Sequence, residues 1–191
     1  MFNRITAVDK IRKKLKENKV SIGSWMQLNS PDVAEIMGKA GFDWVAVDME
    51  HGSISNSDLP NIFRALELGG TLPMARIAEG TLSNCKQALD AGAGGIVAPM
   101  IMDAEQLEQI ITWCCWPPKG KRGVGYSRAN LYGKNFNYYK DEAQSPLIIS
   151  QIEHIQAIDN LESILTVPGL DATIIGPYDL SARMELTGNL E

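Results

Sequence analysis

Short apolar runs alternate with amphipathic segments along most of the chain. Residues 20–26, 42–49 (FDWVAVDM), 71–77 (TLPMARI), 95–100 (GIVAPM), 146–153 (PLIISQIE) and 172–177 (ATIIGP) are runs of the first kind. Each is short and close to continuously apolar, so each is read as a strand. Residues 31–40, 57–68, 82–91, 104–115 and 155–165 are read as helices. Pro31 sits at an early position of the first and Gly41 at its stop, and Gly69-Gly70 ends the second. A strand–helix–strand order predicts a parallel sheet joined by crossover helices. Strands without a polar face predict a sheet covered on both sides. No GxGxxG follows the first strand and no GxxxxGK[ST] occurs, so neither nucleotide-binding fingerprint is present and no nucleotide is expected. Polar and charged residues instead gather where strands end, which favours a (β/α)8 TIM barrel.

Composition sets the limits on that fold. The chain has 191 residues, of which 45% are hydrophobic and 21% charged, with a net charge of −5. Those values predict a soluble globular protein in the cytoplasm. No apolar run approaches the ~18 residues that cross a bilayer, and the N-terminal segment lacks the apolar stretch of a secretory signal. A pI near 5.1 gives no general attraction to nucleic acid. A complete barrel takes about 250 residues, with about 200 as the lower end. The expectation is therefore a single barrel domain over residues 1–191, truncated at its C-terminus, with about six of eight strands present.

Charge is unevenly placed. Residues 1–19 hold seven of the 18 basic residues and two of the 23 acidic ones. Val8, Ile11 and Leu15 fall at helical spacing there, predicting a short helix packed on the body of the fold. Cys85, Cys114 and Cys115 form no metal or disulfide framework and are read as reduced, buried thiols.

Four strand ends carry candidate chemistry. The second ends Asp48-Met49-Glu50-His51-Gly52, the third at Arg76, the fifth at Gln151-Ile152-Glu153. The sixth runs into Gly176-Pro177-Tyr178-Asp179. Residues two apart on a strand share a face, so Asp48 and Glu50 point one way, as do Gln151 and Glu153. Glu153 and Asp179 are hard oxygen ligands that suit Mg²⁺ or Mn²⁺. His51 is a candidate general base near neutral pH. Arg76 is a candidate for holding a carboxylate or a developing enolate oxygen. None of the eleven lysines lies in the six strands, so a Schiff-base lysine is not expected, nor is pyridoxal phosphate. Each residue also has a plainer reading: a loop hydrogen bond for His51, a structural ion pair for Arg76, helix caps for Glu153 and Asp179.

Several motifs in this order resemble the HpcH/HpaI aldolase family over about residues 23–188. They are Gly41-Phe42-Asp43-Trp44 leading to Asp48-Met49-Glu50-His51, then Leu89-Asp90-Ala91-Gly92-Ala93, then Pro117-Pro118-Lys119-Gly120-Lys121-Arg122-Gly123-Val124-Gly125. Gln151-Ile152-Glu153 and Gly176-Pro177-Tyr178-Asp179-Leu180-Ser181 complete the set. The resemblance implies a divalent-metal-dependent pyruvate aldolase, with Mg²⁺ or Mn²⁺ and Co²⁺ as a further candidate. It implies His51 as proton acceptor, Asp90 as the residue orienting it, and Arg76 as the stabiliser of enolate charge. Glu153 and Asp179 would ligate the metal. Gln151 and the stretch Gly176, Pro177, Tyr178, Asp179 would bind pyruvate. Asp48, Glu50 and Arg122 would support the site, and residues 117–125 would form part of its mouth. A homo-oligomer, hexameric by resemblance, is implied as well.

Two departures stand out. Tyr178 occupies a place the family often fills with a small residue, and His154 follows Glu153 where a small hydroxyl residue is common. Residues 126–139, with four tyrosines, have no assignment. The resemblance admits succinic semialdehyde, glyceraldehyde or tartronate semialdehyde as the aldehyde. A citrate lyase β-subunit-like or malyl-CoA-type lyase is the nearest alternative, although no basic cluster for the CoA phosphates is evident. A non-catalytic truncated barrel that binds a ligand or partner is the third reading.

Overall fold

The computed structural model describes residues 2–190. Helix α1 (Arg4–Lys16) comes first, followed by strand β1 (Gly23–Met26), α2 (Pro31–Lys39), β2 (Trp44–Asp48), α3 (Leu59–Gly69), β3 (Leu72–Arg76), α4 (Leu82–Ala91), β4 (Gly95–Ala98) and α5 (Ala104–Cys114). A 3-10 turn (Arg128–Gly133) and α6 (Phe136–Glu142) lead to β5 (Leu147–Ile152), α7 (Ile155–Asp159), α8 (Leu161–Leu165), β6 (Ala172–Ile175) and α9 (Pro177–Arg183). The six strands are all parallel and run in the order β1-β2-β3-β4-β5-β6. They form a curled half-barrel, and among the described residues β1 and β6 each pair on one side only. Six of the eight strands expected of a full barrel are thus present.

The strand alternation builds two cores. Val45, Val47, Ala75, Ile96, Ala98, Ile148 and Ile152 face outward and pack under the helices. Ala46, Leu72, Met74, Val97 and Leu147 face inward. Val8 and Ile11 of α1 join the inner set, so α1 covers the concave side near the strand starts, as its spacing predicts. Its basic face is neutralised there. Lys14 pairs with Asp43 just before β2 (2.6 Å), and Arg12 pairs with Asp171 just before β6 (2.6 Å). The basic N-terminus and the acidic remainder of the sequence are two halves of these contacts.

Helix starts follow the capping signals. The side chains of Ser30, Thr81 and Asp103 accept from the backbone N–H three residues on. Helices α2 and α3 touch at Gly38 and Gly69, where a Cβ on Gly69 would fall 2.2 Å from the Gly38 backbone. The helix expected over 155–165 is broken into α7 and α8 at Asn160, whose amide donates to the Met102 carbonyl (2.9 Å). Cys85, Cys114 and Cys115 are free and buried. Among the described residues no helix is long and apolar enough to cross a membrane.

Candidate active site

In this half-barrel the helices run back against the strands. Residues just after a strand therefore lie at one end, and residues closing a helix lie at the other. The register sets Asp48 directly beside Arg76 on neighbouring strands, at the end where the strands finish. Asp48 is fully buried. It accepts from Arg76 Nε (2.9 Å) and Nη2 (2.6 Å), a two-pronged pair. Gln27 Nε2 (2.8 Å), Trp25 Nε1 (3.2 Å) and the backbone N–H groups of Glu50 and His51 also donate to it. Burial pushes its carboxyl up, but the bonds from Arg76, Gln27 and the His51 backbone, together with the Arg76 charge, outweigh this. They hold it well below the usual carboxylate range.

Arg76 is held from three sides. Its Cζ lies 5.0 Å from the Trp25 ring centre, a cation–π arrangement. Its Nη1 stands 3.1 Å from Glu50 Oε2. That contact is an ion pair without hydrogen-bond alignment, since Glu50 Oε2 is buried and has no hydrogen-bond partner. Burial raises the Glu50 carboxyl from its ordinary value, against the pull of Arg76, and the charges of Glu153 and Asp48 push it further up. Glu153 is fully buried. Its Oε1 accepts from the Met100 backbone (2.7 Å) and its Oε2 from Gln151 Nε2. Gly176 lies so close that a Cβ there would meet Glu153 Oε2 at 2.5 Å.

Trp25, His51, Arg76, Gln151, Gly176, Pro177, Tyr178 and Asp179 line one cavity of about 320 Å³ at this end. Ten of the expected site residues thus cluster at the finishing ends of β2, β3, β5 and β6: Asp48, Glu50, His51, Arg76, Gln151, Glu153, Gly176, Pro177, Tyr178 and Asp179. Trp25 and Gln27 were not anticipated. The signal was present, because they are two apart on or next to β1 and so share a face.

Asp90 and Arg122 lie elsewhere. Asp90 is in the last turn of α4, at the end where strands begin. Its carboxylate is bonded by Lys86 (2.7 Å) and contacted by Arg122 (3.4 Å), and no hydrogen bond joins it to His51 among the described residues. The expected orientation of His51 by Asp90 is therefore not made within the chain. Residues 117–125 follow the end of α5 and fold onto it, with Lys121 N–H on the Thr112 carbonyl and Arg122 N–H on that of Cys115. The expectation that they shape the mouth is corrected accordingly. Arg122 is buried between the rings of Trp116 and Tyr139 and bonded to the Tyr139 hydroxyl (3.2 Å). His154 caps α7, its Nδ1 accepting from the Gln156 N–H (3.1 Å).

Does the mouth suit a divalent cation? Among the described residues no three His, Cys, Asp or Glu side chains converge on one metal position. Two hard carboxylates completed by substrate oxygens are nonetheless a normal shell for Mg²⁺. Glu50 adds a buried oxygen with no hydrogen-bond partner. In donor type, the hard carboxylates of Glu153 and Asp179 suit such an ion.

Comparison with known proteins places the chain. The profile of the HpcH/HpaI aldolase/citrate lyase family matches residues 21–191. A hydroxypyruvate/pyruvate aldolase of Roseobacter denitrificans is 37% identical over 93% of this chain and 70% of its own length. A 2-dehydro-3,6-dideoxy-6-sulfogluconate aldolase of Pseudomonas putida is 39% identical over 92% of this chain and 69% of its own. The crystal structure of an HpcH/HpaI aldolase/citrate lyase family protein from Burkholderia cenocepacia J2315 superposes with a TM-score of 0.88. It is 29% identical, over 94% of this chain and 73% of that one. With a polar mouth at the strand ends and these relatives, the chain belongs to the HpcH/HpaI aldolase/citrate lyase family and is an aldolase, a carbon–carbon lyase.

Proposed function

We propose that this chain cleaves, or forms, a 4-hydroxy-2-oxo acid, with pyruvate and an aldehyde on the other side of the reaction. The observation that carries this reading is the pairing of Arg76 with buried Asp48 beside His51 and Gln151 in one cavity. Asp48 and Glu50 fix the guanidinium in place before substrate arrives, which is what electrostatic stabilisation of a developing charge requires. In cleavage, His51 takes the proton of the C4 hydroxyl. The C3–C4 bond breaks, and its electron pair delocalises toward the 2-oxo oxygen, where Arg76 offers its positive charge. Protonation at C3 then completes pyruvate, and the aldehyde leaves. Gln151 and the backbone at Tyr178 and Asp179 hold the carboxylate and keto groups. A divalent cation held by Glu153 and Asp179 would supply Lewis acidity toward the 2-oxo acid.

The absence of lysine from all six strands supports the same reading over a Schiff-base route. The test is pyruvate release from a 4-hydroxy-2-oxo acid with Mg²⁺ or Mn²⁺ present. Turnover that stops on chelation and returns with the cation is expected. Full turnover after exhaustive chelation, or in His51→Ala, contradicts the proposal.

A further inference from the structure

The two oxygens of Asp48 serve different parts of the site. Oδ1 accepts from Arg76 Nε (2.9 Å) and from the backbone N–H groups of Glu50 (3.1 Å) and His51 (3.2 Å). Oδ2 accepts from Arg76 Nη2 (2.6 Å), Gln27 Nε2 (2.8 Å) and Trp25 Nε1 (3.2 Å). One oxygen thus ties the guanidinium to the turn that presents His51, and the other ties it to the end of β1. A rotation of the carboxylate would disturb both at once. From the β1 side, Gln27 makes the shorter of the two bonds that oppose this rotation. Trp25 also lies against the guanidinium and lines the cavity. Gln27 is an exposed residue outside that lining, and its side chain reaches the site through Asp48. The backbone agrees with this placement. A Cβ on Gly52, in the turn after β2, would fall 2.3 Å from the Asp48 carbonyl oxygen and 3.4 Å from Gln27 Cα.

Resting on the pyruvate aldolase reading, we infer that Gln27 is a positioning residue of this site. It fixes the Asp48 carboxylate and, through it, the Arg76 guanidinium and the turn bearing His51. A neutral amide suits the task, because it adds a bond to Asp48 without cancelling the charge that holds Arg76. The effect falls on the transition state, where developing negative charge must meet a guanidinium already in place. Binding of the substrate is little affected, since Gln27 does not line the cavity.

The test is cleavage of a 4-hydroxy-2-oxo acid with Mg²⁺ present, alongside deuterium exchange into the pyruvate methyl group in D₂O. Gln27→Met removes the donor at similar side-chain length. Its kcat is expected to fall by about tenfold, the order of one hydrogen bond to a charged group, with KM changed by less than about twofold. Gln27→His keeps an N–H at the same number of bonds from Cα, and is expected to recover kcat to within about threefold of wild type. A third readout reports only on folded molecules. The Arg76 Nε–H proton, identified in NMR spectra by its absence from Arg76→Met, should exchange with water about threefold faster or more in Gln27→Met. Wild-type kcat in Gln27→Met, a loss confined to KM, unchanged Nε–H exchange, or no recovery in Gln27→His overturns the inference. With methyl exchange intact in the wild-type protein, those results leave the aldolase reading standing. No methyl exchange in the wild-type protein overturns that reading and the inference with it.

Discussion

The molecule buries one arginine at each end of its half-barrel, and the two are held in different ways. Arg76, at the end where strands finish, meets Asp48 through two hydrogen bonds and Glu50 through an ion pair. Arg122, at the end where strands begin, has a single carboxylate contact at 3.4 Å and a phenol at 3.2 Å, and its Nε has no hydrogen-bond partner. Aromatic faces supply the rest of its surroundings. The first arrangement fixes a charge in a definite orientation, as a catalytic site needs. The second fills space between α4, α5 and α6 with a long side chain whose charge is only partly answered. Burial alone therefore does not distinguish the arginine proposed for the chemistry. The carboxylates that orient it do.

The sharpest way to break that contrast is to replace each arginine with methionine. Arg76→Met leaves Asp48 buried without its counter-charge and is expected to cost about 3–5 kcal/mol, the usual penalty for breaking a buried pair. Its turnover should fall by about 10²-fold or more. Arg122→Met exchanges a poorly matched cation for an apolar side chain among aromatic rings, and Lys86 still answers Asp90. Its cost should stay within about 1 kcal/mol. Urea unfolding of both variants decides this, and equal losses would erase the distinction.

The next effect is steric. Gly176→Ala would place a Cβ against the Glu153 carboxylate, and should raise the Mg²⁺ concentration needed for half-maximal activity by about 10–100-fold. Titration of activity against Mg²⁺ measures it.

A third prediction concerns pH. The Asp48 pKa in the fold lies below its unfolded value of about 3.9. Its pairing therefore stabilises fully above that unfolded value and is lost as pH falls through the folded one. Asp48→Asn should destabilise most near neutral pH, with the difference from wild type shrinking below about pH 4. Thermal unfolding across pH 3–7 would show the narrowing gap, and a constant gap would contradict it. The smallest effect belongs to α1. Lys14→Ala removes a partly exposed pair with Asp43 and should cost no more than about 1 kcal/mol.

Most of the fold is legible in the sequence because the strands are buried on both faces and so read as unbroken apolar runs. All six appear where those runs lie, with β1 shorter than expected because Val20 and Ile22 are exposed. The mouth is legible for a related reason. Charged residues at the ends of apolar strands need partners, and parallel strands bring those ends together. Residues 116–145 were not legible, since their 3-10 turn and α6 follow no period and are held by Arg128 and Tyr139 through contacts distant in sequence, with Asn130 bonding only within its own turn. The end of the half-barrel at which Asp90 lies had a visible signal. Asp90 stands two residues before Gly92, the left-handed stop of α4, and a helix stop in a strand–helix–strand unit belongs to the end where the next strand begins. A motif gives residue order, and only that topological rule says which end of the barrel the motif reaches.

On the proposed function, the Arg76–Asp48 pair, beside His51, serves proton and carbon chemistry on pyruvate. The most direct measurement is proton NMR of the pyruvate methyl signal in D₂O with Mg²⁺ or Mn²⁺, for wild type and Arg76→Met. Loss of the methyl signal is expected with the wild-type protein, and a rate lower by about 10²-fold or more in the variant. A wild-type protein that leaves the methyl protons in place, or a variant that exchanges them as fast as wild type, would contradict it.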